Sequence, residues 1–511
     1  MLEQQKYIIS IDQSTQGTKA LLFDEQGRLL MRTDLPHRQI VNEQGWVSHD
    51  LNEIYHNTVK TVQLLVEKAG ICTEDIAALG ISNQRETTGI WDKITGEPLD
   101  LAIVWQCGRA SNIVEDWLAK GYGEKVRQAT GIPLSAYFPA AKMAWLWQNV
   151  QQRESGFHAG DSRTILQRAD EGEICLGTID SWLLYKLTKE HAFKTDYSNA
   201  SRTQLFHLKK LCWDREICEM LEIPVRCLAQ VCDSDAVYGY TDLEGFFVKP
   251  VPVCGVMGDS HAALFGQGCL QAGMIKATYG TGSSLMMNVG ERPVYSEHGV
   301  VTSLAWSRHG KAEYVLEGNL NYTGAVVSWL KDEVKLIDDP KETEKLACIA
   351  NQKDTTYLVP AFTGLGAPYW DENARASING MSRTTGKAEI VKAALECIAY
   401  QITDLVEAME QDTGMKIKEL RVDGGATKNR YLMQFQSDLL QGEVKVPASE
   451  ELSGIGAAYM AGISVGVYTE EELFAGGEKQ IYQPVMEKTL RDEKYAGWRK
   501  AVAQVVGMDA S

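Results

Sequence analysis

Tyr7–Asp12 (YIISID) is a short apolar run that ends on an acid. Gln13-Ser14-Thr15-Gln16-Gly17-Thr18 follows, and Lys19–Asp24 (KALLFD) then runs into Glu25-Gln26-Gly27. Two apolar runs joined by turn residues read as a β-hairpin. Its first turn carries the chemistry. A carboxylate at position 12 can hold Mg²⁺, directly or through water, while the amides and hydroxyls of the turn face phosphate oxygens. An Asp-Ser-Thr turn is also what an ordinary hairpin uses, so the turn needs company before it means a site.

Further strands end in similar clusters. Ile76–Ser82 (IAALGIS) runs into Asn83-Gln84-Arg85-Glu86-Thr87, and Val251–Met257 (VPVCGVM) into Gly258-Asp259-Ser260. Ile275–Thr278 leads to Gly280-Thr281-Gly282-Ser283-Ser284, and Leu420–Val422 to Asp423-Gly424-Gly425-Ala426. Helical spacing covers Leu51–Lys68, Ala141–Gln151 and Cys175–Leu187, and Gly454, Gly456 and Gly462 lie in a later Ala/Gly-rich helix. Interleaved strands and helices predict α/β layers. Each half opens with a strand that delivers an acid beside a turn, so an internal repeat is expected, with units at 1–250 and 251–511.

The 511 residues are too many for one compact core. A net charge of −17 disfavours nucleic acid and anionic lipid as partners. The 11 cysteines show no CxxC pairing, which argues for reduced thiols rather than a disulfide framework or a zinc site. No apolar run reaches the roughly 18 residues of a membrane span, and the start lacks a signal-peptide layout. A cytoplasmic protein without membrane insertion is expected, and a homo-oligomer is compatible with this surface.

The phosphate chemistry takes no common loop. Gln16-Gly17-Thr18-Lys19 lacks the first glycine of a Walker A loop, and no GxGxxG follows a strand. Asp259 at a strand end is placed to accept a hydroxyl proton, or simply to cap the helix that follows. Gly280-Thr281-Gly282 can cradle a phosphate with backbone amides, and Asp423-Gly424-Gly425 lets backbone pass close to a flat base.

The order of these modest motifs resembles the FGGY carbohydrate kinases, two-domain RNase-H-like proteins of the actin/hexokinase/Hsp70 group. Asn83–Thr88 (NQRETT), Ala102–Cys107 (AIVWQC), Tyr137–Asn149 (YFPAAKMAWLWQN), Thr195–Thr203 (TDYSNASRT), Val359–Trp370 (VPAFTGLGAPYW), Arg421–Ala426 (RVDGGA) and Met433–Asp438 (MQFQSD) are similar to the glycerol-phosphorylating branch of that family, and the likeness spans nearly the whole chain. It implies an active site in the cleft between the domains. Asp259 would be the catalytic base, Asp12 would serve the metal together with Asp259, and Arg85 and Glu86 would grip polyol hydroxyls beside Trp105 and Tyr137. Ser14, Thr15, Gly280, Thr281 and Gly282 would meet the phosphates of ATP, with Gly324, Gly425 and Asn429 on the nucleotide side. The implied reaction is ATP- and Mg²⁺-dependent phosphorylation of a terminal hydroxyl of a small polyol or sugar, foremost glycerol to glycerol 3-phosphate.

Three positions depart from that branch. Ser260 replaces Gln, Ser284 replaces a Phe that walls the glycerol carbons, and Ser14-Thr15 replaces Gly-Thr. The first two open the substrate pocket and line it with hydroxyls, which keeps a tetritol, pentitol or pentulose kinase as the alternative. A nucleotide-binding sensor without catalysis is the third reading, and the retention of both Asp12 and Asp259 argues against it. Gly245-Phe246-Phe247-Val248 lacks the Arg of a fructose 1,6-bisphosphate loop, and no His lies between His207 and His261 to take a phosphoryl group. Neither mode of regulation is expected.

Overall fold

The computed structural model describes residues 5–153, 163–474 and 479–506. The opening hairpin forms as read, with Tyr7–Gln13 antiparallel to Gly17–Phe23 and that strand antiparallel to Leu29–Pro36. Ile76–Asn83 joins Tyr7–Gln13 in parallel, and Val251–Gly258 joins Ile76–Asn83 in parallel. Gly239–Thr241 closes that edge, giving six strands. The second sheet repeats the plan. Ile275–Tyr279 forms a hairpin with Ser283–Gly290, which pairs with Lys311–Leu320, while Glu419–Asp423 and Glu443–Pro447 extend it in parallel. Val301–Arg308 and Lys479–Tyr482 complete seven strands. Each sheet therefore has the order third-second-first-fourth-fifth, with three antiparallel and two parallel strands at its heart.

This pairing corrects the expected boundary. Val251–Gly258 is the fifth strand of the first sheet, so residues 251–266, Asp259 included, do not open the second unit. The counterpart of the Tyr7–Phe23 hairpin is Ile275–Gly290, and the repeat begins there. Residues 175–178 of the expected helix belong instead to the strand Ile174–Thr178, and the helix proper is Ile179–Leu187. Leu51–Ala69 is a helix capped by the Asp50 carboxylate at its start and by Gly70, at φ 64°, at its end. Its face of Ile54, Val59, Val62 and Leu65 covers the first sheet. The opposite face is covered by Leu452–Ser464, a helix from far along the chain that packs Leu452, Ile455, Ala458 and Ala461 on Ile8, Leu21, Phe23 and Ala78. Small residues make that approach possible, because a Cβ on Gly80 would lie 2.4 Å from the Ala457 carbonyl. Lys387–Thr413 is the long core helix of the second unit. Among the described residues no helix is long and apolar enough to cross a membrane.

Candidate active site

The parallel register of the first sheet sets the acids. Asp12 lies opposite Ser82, Ser82 opposite Met257, and Asn83 opposite Gly258. Asp12 and Asp259 therefore emerge at one edge although 246 residues separate them in the chain. Asp12 is buried, and that burial pushes its carboxyl up to about 6. Lys19, 3.7 Å away on the paired strand, pulls it down, and the negative charges of Asp259 and Glu451 push it up further. Lys19 also donates to Glu451 at 2.7 Å. Asp259 begins the helix Asp259–Gly266, and Ser260 N donates to its Oδ1 at 2.6 Å. Its side chain keeps 39% of its surface exposed, so the carboxylate is open to a bound molecule.

Arg85 and Glu86 follow the Ile76–Asn83 strand and are both buried. Glu86 sits at φ 62°, a conformation that costs a non-glycine residue about 1–3 kcal/mol and concentrates at functional sites. Arg85 Nη1 and Nη2 both donate to Glu317, at 2.9 Å each. Its Nε lies 3.1 Å from Asp259 Oδ1, an ion pair without hydrogen-bond alignment, and has no acceptor among the described residues. Arg202 Nε donates to Glu86 Oε1 at 2.7 Å, and Arg202 Nη1 lies 2.8 Å from Glu317 Oε2. Burial works to raise the Glu317 carboxyl, but Arg202 and Arg85 hold it well below the usual carboxylate range.

Trp105 and Tyr137 meet edge to face, with ring centres 5.7 Å apart at 67°. Trp105 Nε1 donates to Thr15 Oγ1 at 2.9 Å, which ties the aromatic wall to the Ser14-Thr15 turn. Ser14 closes that turn, its amide donating to Gly17 O at 2.9 Å. The Tyr137 hydroxyl is pushed up by burial and kept neutral. Behind it, Lys142 is fully buried and donates to the Tyr137 and Phe138 carbonyls.

In the second sheet the Gly280–Gly282 turn is locked to the start of the helix Gly324–Asp332. Gly324 N donates to Gly280 O and Ala325 N to Thr281 O, both at 3.0 Å. A Cβ on Gly282 would lie 2.3 Å from Leu320 O and one on Gly324 2.6 Å from Gly280 O, so both positions need glycine. Ser284 Oγ is buried without a hydrogen-bond partner among the described residues, and Ser260 is half-buried. Gly324, Gly425 and Asn429 line one cavity of about 480 Å³, with Val327, Leu395 and Ile398 as apolar walls. Nothing lies within 4 Å of where a Gly425 Cβ would be, so backbone is open to the cavity there. Asn429 Nδ2 donates to Thr343 Oγ1, while its Oδ1 caps the helix Arg430–Leu440.

Two family models divide the chain where the sheets do. The N-terminal domain of the FGGY family of carbohydrate kinases matches residues 7–266, and its C-terminal domain matches residues 275–465. The chain belongs to the FGGY family of carbohydrate kinases. As an FGGY kinase it uses ATP as phosphoryl donor. It is 45% identical to glycerol kinase 2 of Thermotoga maritima over 99% of each chain, and 44% identical to a glycerol kinase of Caldanaerobacter subterraneus over 98% of this chain and 99% of that one. A crystal structure of Plasmodium falciparum glycerol kinase with ADP superposes with a TM-score of 0.90 at 34% identity, covering 98% of both chains. A xylulose kinase of Lactobacillus acidophilus, at 21% identity and a TM-score of 0.86 over 98% of this chain and 99% of that one, shares the FGGY fold.

The FGGY cleft also holds charged residues that the sequence motifs pass over. Glu317 lies mid-strand in Lys311–Leu320, and its neighbours give no sign that it is buried. Arg202 sits inside TDYSNASRT, where nothing in the local pattern marks it as a partner of Glu86. Lys276, in the Ile275–Tyr279 strand, is fully buried and donates to Thr278 Oγ1 at 3.0 Å. Burial pushes its ammonium down, and Asp423, Asp259 and Glu317 offset this while Arg85 adds to it. A lysine inside an otherwise apolar strand was the available signal.

Proposed function

We propose that this chain transfers the γ-phosphoryl group of Mg²⁺·ATP to a terminal hydroxyl of glycerol, giving glycerol 3-phosphate and ADP. The observation that carries this reading is the buried Arg85 Nε–H, 3.1 Å from Asp259 Oδ1 and without an acceptor of its own. A buried donor left unpaired costs about 1–3 kcal/mol. A hydroxyl that accepts from Arg85 and donates to Asp259 relieves that cost and stands where its proton can be taken. A neighbouring hydroxyl donates to the Glu86 carboxylate, since a carboxylate holds two acceptor oxygens and Arg202 takes Oε1. Trp105 and Tyr137 then cover the carbon backbone. Asp259 accepts the proton as the substrate oxygen bonds to the γ-phosphorus and the bond to the ADP oxygen breaks. The Gly280–Gly282 and Ser14-Thr15 turns steady the phosphates, and the cavity at Gly425 and Asn429 takes the adenine side.

The residues also fit Mg²⁺. Asp12 is a buried carboxylate pushed up partly by Asp259, and a divalent cation held by these acids would relieve that repulsion. Among the described residues no group of three or more His, Cys, Asp or Glu forms a protein-only metal cage. One or two carboxylates plus phosphate oxygens and water is the usual magnesium arrangement. Bound there, the cation would neutralise charge on the β- and γ-phosphates. With 11 cysteines in no disulfide and ATP as donor, the cytoplasm is the compartment this reading requires.

Ser260 and Ser284 favour a second reading, a longer polyol or a ketose. The unpartnered Ser284 Oγ offers a hydrogen bond where an apolar wall would refuse one. Glycerol, erythritol, threitol, xylitol and xylulose should be compared by kcat/KM with Mg²⁺·ATP, in the natural enzyme and in Ser284→Phe. Glycerol is expected to lead, with tetritols accepted. A lead of tenfold or more for a tetritol, pentitol or pentulose overturns glycerol as substrate. Unchanged discrimination in Ser284→Phe removes the wider-pocket argument.

A further inference from the structure

We infer that Glu317 is a positioning residue for substrate binding, supplied by the second sheet to aim Arg85 and Arg202 of the first unit. The inference rests on the proposed polyol kinase reading and extends it to a residue outside the substrate-gripping pair.

The geometry is a closed ladder across the two units. Glu317 Oε1 and Oε2 take the two terminal nitrogens of Arg85 at 2.9 Å, and Oε2 also meets Arg202 Nη1 at 2.8 Å. Arg202 continues to Glu86 at 2.7 Å, so one carboxylate orients both members of the polyol grip, one directly and one through Arg202. End-on bidentate pairing fixes the guanidinium plane and leaves the Nε edge free. That edge is the one beside Asp259. The charges of the ladder explain its stability without solvent. Glu317 is 1% exposed, Arg202 1%, Arg85 5% and Glu86 3%. Three carboxylates, counting Asp259, face two guanidinium groups, and Lys276 lies close enough to act on Glu317 and Asp259. Removing one member of such a buried set leaves a partner charge unpaired. Glu317 does not reach the reacting atoms in this arrangement. It acts by holding Arg85 so that the Nε–H is aimed at a bound substrate hydroxyl.

The test compares the natural enzyme with Glu317→Gln, Glu317→Asp and Glu317→Leu in the full chain. Steady-state rates with glycerol and Mg²⁺·ATP are combined with thermal melting and with small-angle scattering of the ligand-free protein. Glu317→Gln, which keeps the shape and loses the charge, is expected to raise the polyol KM at least tenfold, with kcat and the ATP KM changed less than threefold. Glu317→Asp should recover part of the loss and Glu317→Leu none. A purely structural role would instead lower the melting temperature and move both substrates' KM together, and that pattern overturns the inference. So does an unchanged polyol KM in Glu317→Gln. If the natural enzyme phosphorylates no polyol, the functional reading falls by itself. The ladder is then judged by scattering, where a larger ligand-free radius of gyration in Glu317→Leu supports a Glu317 clamp between the sheets and an identical one overturns it.

Discussion

Two buried or half-exposed side chains define what can be measured residue by residue. Among the described residues, Asp259 is the only carboxylate placed both beside Arg85 Nε and at an exposed strand end. Asp259→Asn should lower kcat by roughly 10²–10⁴-fold while the polyol KM moves little, read in steady-state assays at saturating ATP. Near-normal turnover would remove Asp259 from the chemistry. Lys142 offers a pH test. Burial pushes its ammonium down to about 7, with Glu86 and Cys107 opposing. An unfolded lysine titrates near 10.4, so between about 7 and 10.4 the unfolded chain binds more protons than the folded one. Stability due to this group therefore rises with pH across that window and is flat below it. The melting temperature of the natural enzyme, minus that of Lys142→Met, should grow from pH 7 towards pH 10. A difference that stays constant would mean that burial does not lower the Lys142 ammonium and that the side chain keeps its charge in the folded protein.

Elements carry the site through close backbone contact. The helix Leu452–Ser464 presses on the helix Asp259–Gly266, and a Cβ on Gly456 would lie 1.8 Å from Ala262 O. Gly456→Ala should cost about 1–3 kcal/mol through overpacking and shift the helix that begins with Asp259. Both a lower melting temperature and a kcat loss of tenfold or more are expected, because misplacement of about 1 Å costs on the order of 10² in rate. A variant that melts lower yet keeps full kcat would show that the base is insulated from this contact. Elements also mark how far sequence reading goes. The Tyr7–Phe23 hairpin, the helix Leu51–Ala69 and the strand ends at Arg85 and Asp259 were legible because local pattern and turn chemistry decide them. The ownership of Val251–Gly258 was not, because it depends on a parallel pairing with Ile76–Asn83 some 170 residues earlier. Glu317 was invisible for the same reason, since its partners Arg85 and Arg202 lie in turns of the other unit. Gly425 and Asn429 could be placed from motif order, yet their shared cavity with Gly324 exists only once Ile398 and Leu395 of the long helix close it.

At the scale of the whole molecule, the two units are not separable. Ile8, Leu21, Phe23 and Ala78 of the first sheet are fully buried, and the residues that cover them include Leu452, Ile455, Ala458 and Ala461. A chain ending after residue 447 would expose that face, and contiguous apolar surface of this kind drives association. Such a truncation should elute as aggregate in size-exclusion chromatography, and a monodisperse product would contradict the packing described. The same strap of late sequence has a consequence for how the enzyme is made. During synthesis the first 266 residues leave the ribosome with one side of their sheet uncovered, and they stay so while nearly 200 more are added. At about 5–20 residues per second this interval lasts roughly ten to forty seconds. The nascent first unit thus carries a bare apolar face for that whole interval, and the kinase becomes a kinase only when almost its last helix arrives.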